Sequence, residues 1–92
     1  MQKLSEQEIY DKLHTVTGWV REENHIRKDW NFENFIEAFA FISKVAILAE
    51  KHNHHPELFN VYSQVTLKFN THDAGGLTQK DFNIARDIDR IA

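Results

Sequence analysis

The chain has 92 residues, 41% of them hydrophobic, with no cysteine and a formal net charge of −3 at neutral pH. That length holds one domain around one core, and a chain this small buries only about 60–65% of its unfolded surface, so its own stability is marginal. Disulfide support is excluded, a reducing compartment fits, and the acidic balance without a basic cluster disfavours direct binding to nucleic acid.

The first residues are polar and form no apolar signal region. The most apolar stretch, Ala38 to Ala49, is interrupted by Ser43 and Lys44 and is too short to span a bilayer. A single soluble, cytoplasmic domain over residues 1–92, without membrane contact, is therefore expected.

Ser5-Glu6-Gln7-Glu8 is a capping box, flanked by Leu4 and Ile9 in the positions of a hydrophobic staple. Ile9, Leu13 and Val16 keep helical spacing until Gly18, which predicts a helix over residues 6–15. Trp19–Glu23 and His25–Phe32 read as two strands turning at Glu23-Asn24. Ile26, Trp30 and Phe32 then share one face, with Arg27 and Asp29 on the other. The longest helix is expected over residues 33–53, with Asn31 as a candidate cap. Phe35, Phe39, Ile42, Ala46 and Ala49 form its expected core stripe, and Phe32, Ile36, Phe41, Val45 and Leu48 add apolar surface on a second side. One sheet face cannot cover so wide a band, so a second subunit is expected to cover the remainder.

Pro56 forbids continuation of that helix and holds His55 extended. Phe59, Val61, Val65, Leu67 and Phe69 alternate strictly, and usual strand lengths favour a hairpin turning near Tyr62-Ser63-Gln64. Residues 72–76 read as a loop. Thr78 with Asp81 repeats the capping box and Leu77 with Phe82 the staple, opening a last helix over 79–91 that buries Phe82, Ile84, Ala85 and Ile88. The order α-β-β-α-β-β-α predicts an α+β fold, a four-stranded antiparallel sheet with helices packed on one face.

Three of the six histidines fall within four positions, in Glu50-Lys51-His52-Asn53-His54-His55-Pro56. Glu50 and His54 stand four apart, the spacing of neighbours on a helix face, and a carboxylate beside one ring nitrogen fixes the tautomer of an imidazole. His55 can line the same hollow, and His72 follows the last strand. Imidazoles with ordinary pKa values near 6.5 both donate and accept protons at neutral pH. His14, His25 and His52 read as structural or solvated. Metal binding is the rival use, because Glu50, His54, His55 and His72 supply enough donors for zinc. Against it, adjacent histidines before a proline suit one tetrahedral ion poorly, and no His-Glu-x-x-His pattern occurs. Nucleophilic catalysis lacks a cysteine and a glycine-flanked serine.

The pattern Glu50-x-x-x-His54-His55-Pro56-x-x-Phe59-Asn60-Val61-Tyr62, followed by Thr71-His72-Asp73-x-Gly75-Gly76-Leu77-Thr78-x-x-Asp81, resembles the pterin-4a-carbinolamine dehydratase family. The likeness extends upstream through Trp19, Phe32, Phe35, Ala38-Phe39-Ala40-Phe41 and Val45-Ala46. The resemblance implies a lyase, without cofactor or metal, that dehydrates 4a-hydroxytetrahydropterin to quinonoid dihydropterin in tetrahydrobiopterin recycling. It places the catalytic histidines at His54, His55 and His72, with His54 and His72 transferring protons, His55 holding the pterin, and Glu50 as supporting carboxylate. It places further pterin contacts at Asn53, Asn70, Thr71 and Asp73. It also implies assembly as a dimer or tetramer and, as an alternative role, a dimerisation cofactor of a transcription factor that uses the apolar helix surface. Two positions depart from the family pattern: Asn53 stands where many members carry Asp, and Leu58 where many carry Trp. The first removes a charge and the second an aromatic wall.

Overall fold

The computed structural model describes residues 2–92. Helix α1 spans Glu6–Leu13, strand β1 Val20–Glu22 and strand β2 His25–Asn31. Helix α2 spans Phe35–His52, strand β3 Glu57–Val61, strand β4 Gln64–Phe69 and helix α3 Gln79–Ile91. One antiparallel sheet runs in the order β1-β2-β4-β3, with the helices on one face. The expected α+β order is the observed one.

Local chemistry sets the helix starts. The Ser5 hydroxyl accepts from the Glu8 amide at 3.2 Å, and the Glu8 carboxylate accepts from the Ser5 amide at 2.8 Å, so two orphan donors are satisfied. Asn34, not Asn31, caps α2, accepting from the Glu37 amide at 2.9 Å. Asn31 is still paired with Gln64 in the sheet, so Asn34 is the residue free to turn its side chain to the helix. At the start of α3, the Asp81 carboxylate accepts from the Thr78 amide at 2.9 Å.

The core lies between the sheet and helices α2 and α3. Ile26, Val65, Leu67 and Phe69 are fully buried on the sheet, facing Phe82, Ile84, Ala85 and Ile88 of α3. From α2 the buried residues are Ala38, Phe41, Val45 and Ala49. This corrects the expected core stripe. Phe35, Phe39 and Ala46 are exposed and Ile42 is half-buried, leaving Ala49 as the stripe's buried member. Two apolar stripes run along α2, and helical periodicity cannot say which one meets the sheet. Packing selects the stripe with small Ala38 and Ala49 at its ends, which permits a close approach of the helix.

A second correction concerns β3. Phe59 and Val61 share sequence parity with Val65, Leu67 and Phe69, which in one continuous strand would place them together. The two-residue turn at Tyr62-Ser63 reverses that parity: Phe59 pairs with Thr66, and Val61 with Gln64. Both side chains therefore stand on the face away from the helices, Phe59 with 70% exposure. Because β3 is an edge strand, its outer side has no partner in the sheet.

Asp89 near the end of α3 ties that helix to the first hairpin. It accepts from the Thr17 amide at 2.9 Å, the Trp19 indole at 2.9 Å and the Lys28 ammonium at 3.0 Å. Removal of a core side chain should show how much this packing carries. Leu67→Ala, at a position with 0% exposure, should cost about 2–5 kcal/mol in urea unfolding. Asn83→Ala, on the exposed side of α3, should stay within about 0.5 kcal/mol.

Candidate active site

The site begins where α2 ends. Asn53 adopts the left-handed conformation, with φ 50° and ψ 45°, as the helix C-cap. Asn and Asp are the non-glycine residues that tolerate this region best, so the Asn53 departure keeps the backbone and removes only the charge. The Asn53 amide donates to the Glu50 carbonyl at 3.2 Å and the His54 amide to the Ala49 carbonyl at 3.0 Å, which closes the helix. Pro56 then forces the chain out into β3. The sharp turn sends consecutive histidines to different places.

His54 goes inward, with 8% exposure, and stacks on Phe69 with ring centroids 5.7 Å apart. Its Nε2 lies 2.6 Å from Oδ1 of Asp81, a carboxylate with 0% exposure. The other Asp81 oxygen accepts from the Thr71 hydroxyl at 2.9 Å and the Thr78 amide at 2.9 Å. The hydroxyls of Thr71 and Thr78 are 2.7 Å apart, completing a buried polar knot. An ionised carboxylate can only accept, so beside it Nε2 of His54 carries a hydrogen, and in the neutral ring the lone pair is then on Nδ1. His55 goes outward, with its Nε2 2.5 Å from Oε2 of Glu50.

The expected Glu50–His54 pair is therefore not formed. Helical i,i+4 geometry stops at His52, and residue 54, beyond the left-handed turn, no longer stands over Glu50. Glu50 instead holds His55, and Asp81 holds His54. The capping role of Asp81 was legible in the sequence, but its second oxygen reaching His54 across the fold was not.

A cleft of about 320 Å³ is lined by Asn53, His54, His55, Asn70, Thr71, His72, Asp73 and Lys80. Of the eight residues singled out from sequence, seven line this one hollow, and Glu50 touches it through His55. His72 opens a short 3₁₀ turn, His72–Ala74, and is exposed. Lys80, on the first turn of α3, was missed, because a lysine there carries no signal distinguishing it from a solvated helix residue. The remaining histidines lie elsewhere. His52 pairs with Asp87 at 2.7 Å, His25 with Glu57 at 2.7 Å, and Nδ1 of His14 with the Tyr10 carbonyl at 3.0 Å.

Leu58 does not line the polar cleft. It lies in an adjoining apolar groove of about 260 Å³ with Ile42, Val45, Ala46, Ala49 and Pro56, bordered by Glu50 and His55. Its departure from Trp thus enlarges the groove and not the cleft. A further hollow of about 300 Å³ on the open sheet face is lined by Arg27, Asp29 and Thr66 among others. Those three bond to one another, Arg27 to Asp29 at 3.2 Å and Thr66 to Asp29 at 2.6 Å. No group of three or more metal-ligating side chains converges among the described residues.

Residues 2–91 match the family profile described as pterin 4 alpha carbinolamine dehydratase. The chain belongs to this family. A relative from Roseiflexus, named provisionally as a pterin-4-alpha-carbinolamine dehydratase, is 49% identical over 97% of this chain and 96% of its own. One from Prochlorococcus marinus subsp. pastoris, named in the same way, is 47% identical over 96% of this chain and 92% of its own. The crystal structure of a transcriptional coactivator/pterin dehydratase from Brucella melitensis superimposes with a TM-score of 0.94 at 35% identity, covering 99% of both chains. A pterin dehydratase-like protein identified as a RuBisCO assembly factor in the alpha-carboxysome shares the fold. Its TM-score is 0.66 at 19% identity, covering 80% of this chain and 86% of that one.

The dehydratase-family cleft thus has a buried carboxylate behind His54. Asp81→Ala leaves the Thr71 hydroxyl, the Thr78 amide and His54 Nε2 without their acceptor. It should cost about 3 kcal/mol or more in urea unfolding. Asp81→Asn keeps the shape but has one accepting oxygen in place of two. It should release the fixed tautomer of His54, visible in the nitrogen shifts of that ring by NMR.

Proposed function

We propose that this chain dehydrates a 4a-hydroxytetrahydropterin to the quinonoid dihydropterin and water by histidine acid/base catalysis, in tetrahydrobiopterin recycling. The observation that carries the reading is the cleft lined by His54, His55 and His72, two of which have their own carboxylate. In the reaction, N5 loses its proton, the C4a–oxygen bond breaks, the C4a–N5 double bond forms, and the leaving hydroxyl takes a proton to become water. A base and an acid must act at adjacent ring atoms.

His54 suits the base. With Nε2–H held by Asp81, its lone pair is on Nδ1, and the buried setting costs no reorganisation during transfer. His72 suits the acid, because an exposed imidazole is re-protonated from solvent after each turnover. His55, held by Glu50, orients the pterin, and Asn53, Asn70 and Asp73 offer hydrogen bonds to the heterocycle beside Thr71, whose hydroxyl is taken by Asp81 and Thr78. The chemistry requires no cofactor or metal. Purified protein should accelerate the dehydration with chelator present, and His54→Ala with His72→Ala should lower kcat by roughly 10²–10⁴-fold. An unchanged rate in the double variant would rule out this mechanism.

We further propose that the chain is a homodimer or homotetramer in the cytoplasm. Phe35, Ile36, Phe39 and Ile47 are exposed on α2, and Ile36 is 79% exposed. Phe59, Val61 and Tyr62 are exposed along the β3 edge and its turn. Exposed apolar surface of this kind marks association sites. The same surface favours a second reading, a dimerisation cofactor or protein-binding module, in keeping with the description of the Brucella protein as a transcriptional coactivator. No helix among the described residues is long and apolar enough to cross a membrane. Sedimentation velocity should show a dimer or tetramer that Ile36→Glu with Phe39→Glu dissociates. A strict monomer at all concentrations would favour the partner-binding reading.

A further inference from the structure

The cleft contains one cation that the reaction as proposed does not use. Lys80 is half-buried, lines the same hollow as His54, His55 and His72, and carries the one fixed positive charge among the described lining residues. Its Nζ reaches the Asn53 carbonyl at 3.5 Å, the outer limit of a hydrogen bond. No carboxylate lies within ion-pair distance of it among the described residues, although Asp73 lines the same cleft. Lys28 and Lys68 are also partly buried, but pair with Asp89 at 3.0 Å and Glu22 at 2.6 Å.

The backbone holds this charge in place. Lys80 follows the cap, its amide donating to the Thr78 hydroxyl at 3.3 Å, and precedes Asp81, whose side chain is fixed by three donors. The first turn of α3 therefore aims Asp81 into the core and Lys80 toward the turn at Asn53. Asn53, which lines the cleft with Lys80, carries no charge that could offset the ammonium.

We propose that Lys80 is a substrate-binding residue that donates a charge-assisted hydrogen bond to a ring oxygen of the pterin, the carbonyl beside the reacting carbon. The inference rests on the dehydratase reading. Because that carbonyl is present in substrate and product alike, the contact holds ground state and transition state equally and appears in KM. Lys80→Ala should raise KM about 10- to 100-fold with kcat within about threefold. Lys80→Arg should recover most of the loss.

A merely structural lysine, tying α3 to the Asn53 carbonyl, predicts the opposite pattern: lower Tm and lower kcat at constant KM. That result, or an unchanged KM in Lys80→Ala, overturns the inference while the dehydratase reading stands. Titration with 7,8-dihydropterin, followed by calorimetry, separates the two claims. If the unaltered protein binds the pterin but does not turn over, its Kd against that of Lys80→Ala still decides the role of Lys80. If it neither binds nor turns over, both claims fail together.

Discussion

The carboxylate of Asp81 is the point on which the cleft depends. Burying an ionised group without partners costs several kcal/mol, so a fully buried aspartate demands donors, and here every donor comes from a different segment. His54 arrives from beyond α2, Thr71 from beyond β4, and the Thr78 amide from the start of α3. One charge therefore fixes where three connections meet. A residue that first serves as a helix cap also sets the orientation and tautomer of an imidazole. The cleft floor therefore cannot loosen without unpairing a buried group.

The left-handed turn at Asn53 does the complementary work. Neighbouring residues in an extended chain would point to opposite sides at similar depth. After this turn His54 is enclosed, its side chain 9% exposed, whereas that of His55 is 56% exposed. Each has its own carboxylate, and the two carboxylates differ as much as the rings do. Asp81 is wholly buried and Glu50 lies on the surface. An enclosed ring with a fixed tautomer beside exposed rings in contact with water is the division that paired proton transfer asks of a site. Lys80 adds a charge at the rim, placed by the same cap that places Asp81.

The remaining constraint is size. With one sheet and two covering helices, a chain of 92 residues has too few layers to bury all that is apolar on α2. The stripe through Ala38, Phe41, Val45 and Ala49 is used up by the core, and the stripe through Phe35 and Phe39 is left outside with Ile36. The edge strand β3 turns Phe59 and Val61 outward as well. The apolar groove holding Leu58 lies between these two surfaces and borders His55, so association on that side would adjoin the cleft.

Much of this was legible in the residues because its causes are local. Capping boxes at Ser5 and Thr78, the stop at Pro56 and the alternation through Val65, Leu67 and Phe69 act within a few positions and act the same in any fold. The histidine pattern likewise named the residues of one hollow before their positions were known. The misreadings have a different origin. Which stripe of α2 is core, which face Phe59 takes, and which carboxylate each histidine meets are set by how the chain turns and packs, from the two-residue turn after Val61 to the Asp81 carboxylate 27 positions beyond His54. The chain alone determined the elements, their order, and the histidines that line one hollow. Only the tertiary structure decided that Asp81 and not Glu50 stands behind His54, and that Lys80 joins the cleft. Those pairings are set by helix ends and strands packing across the fold, and no local spacing encodes them.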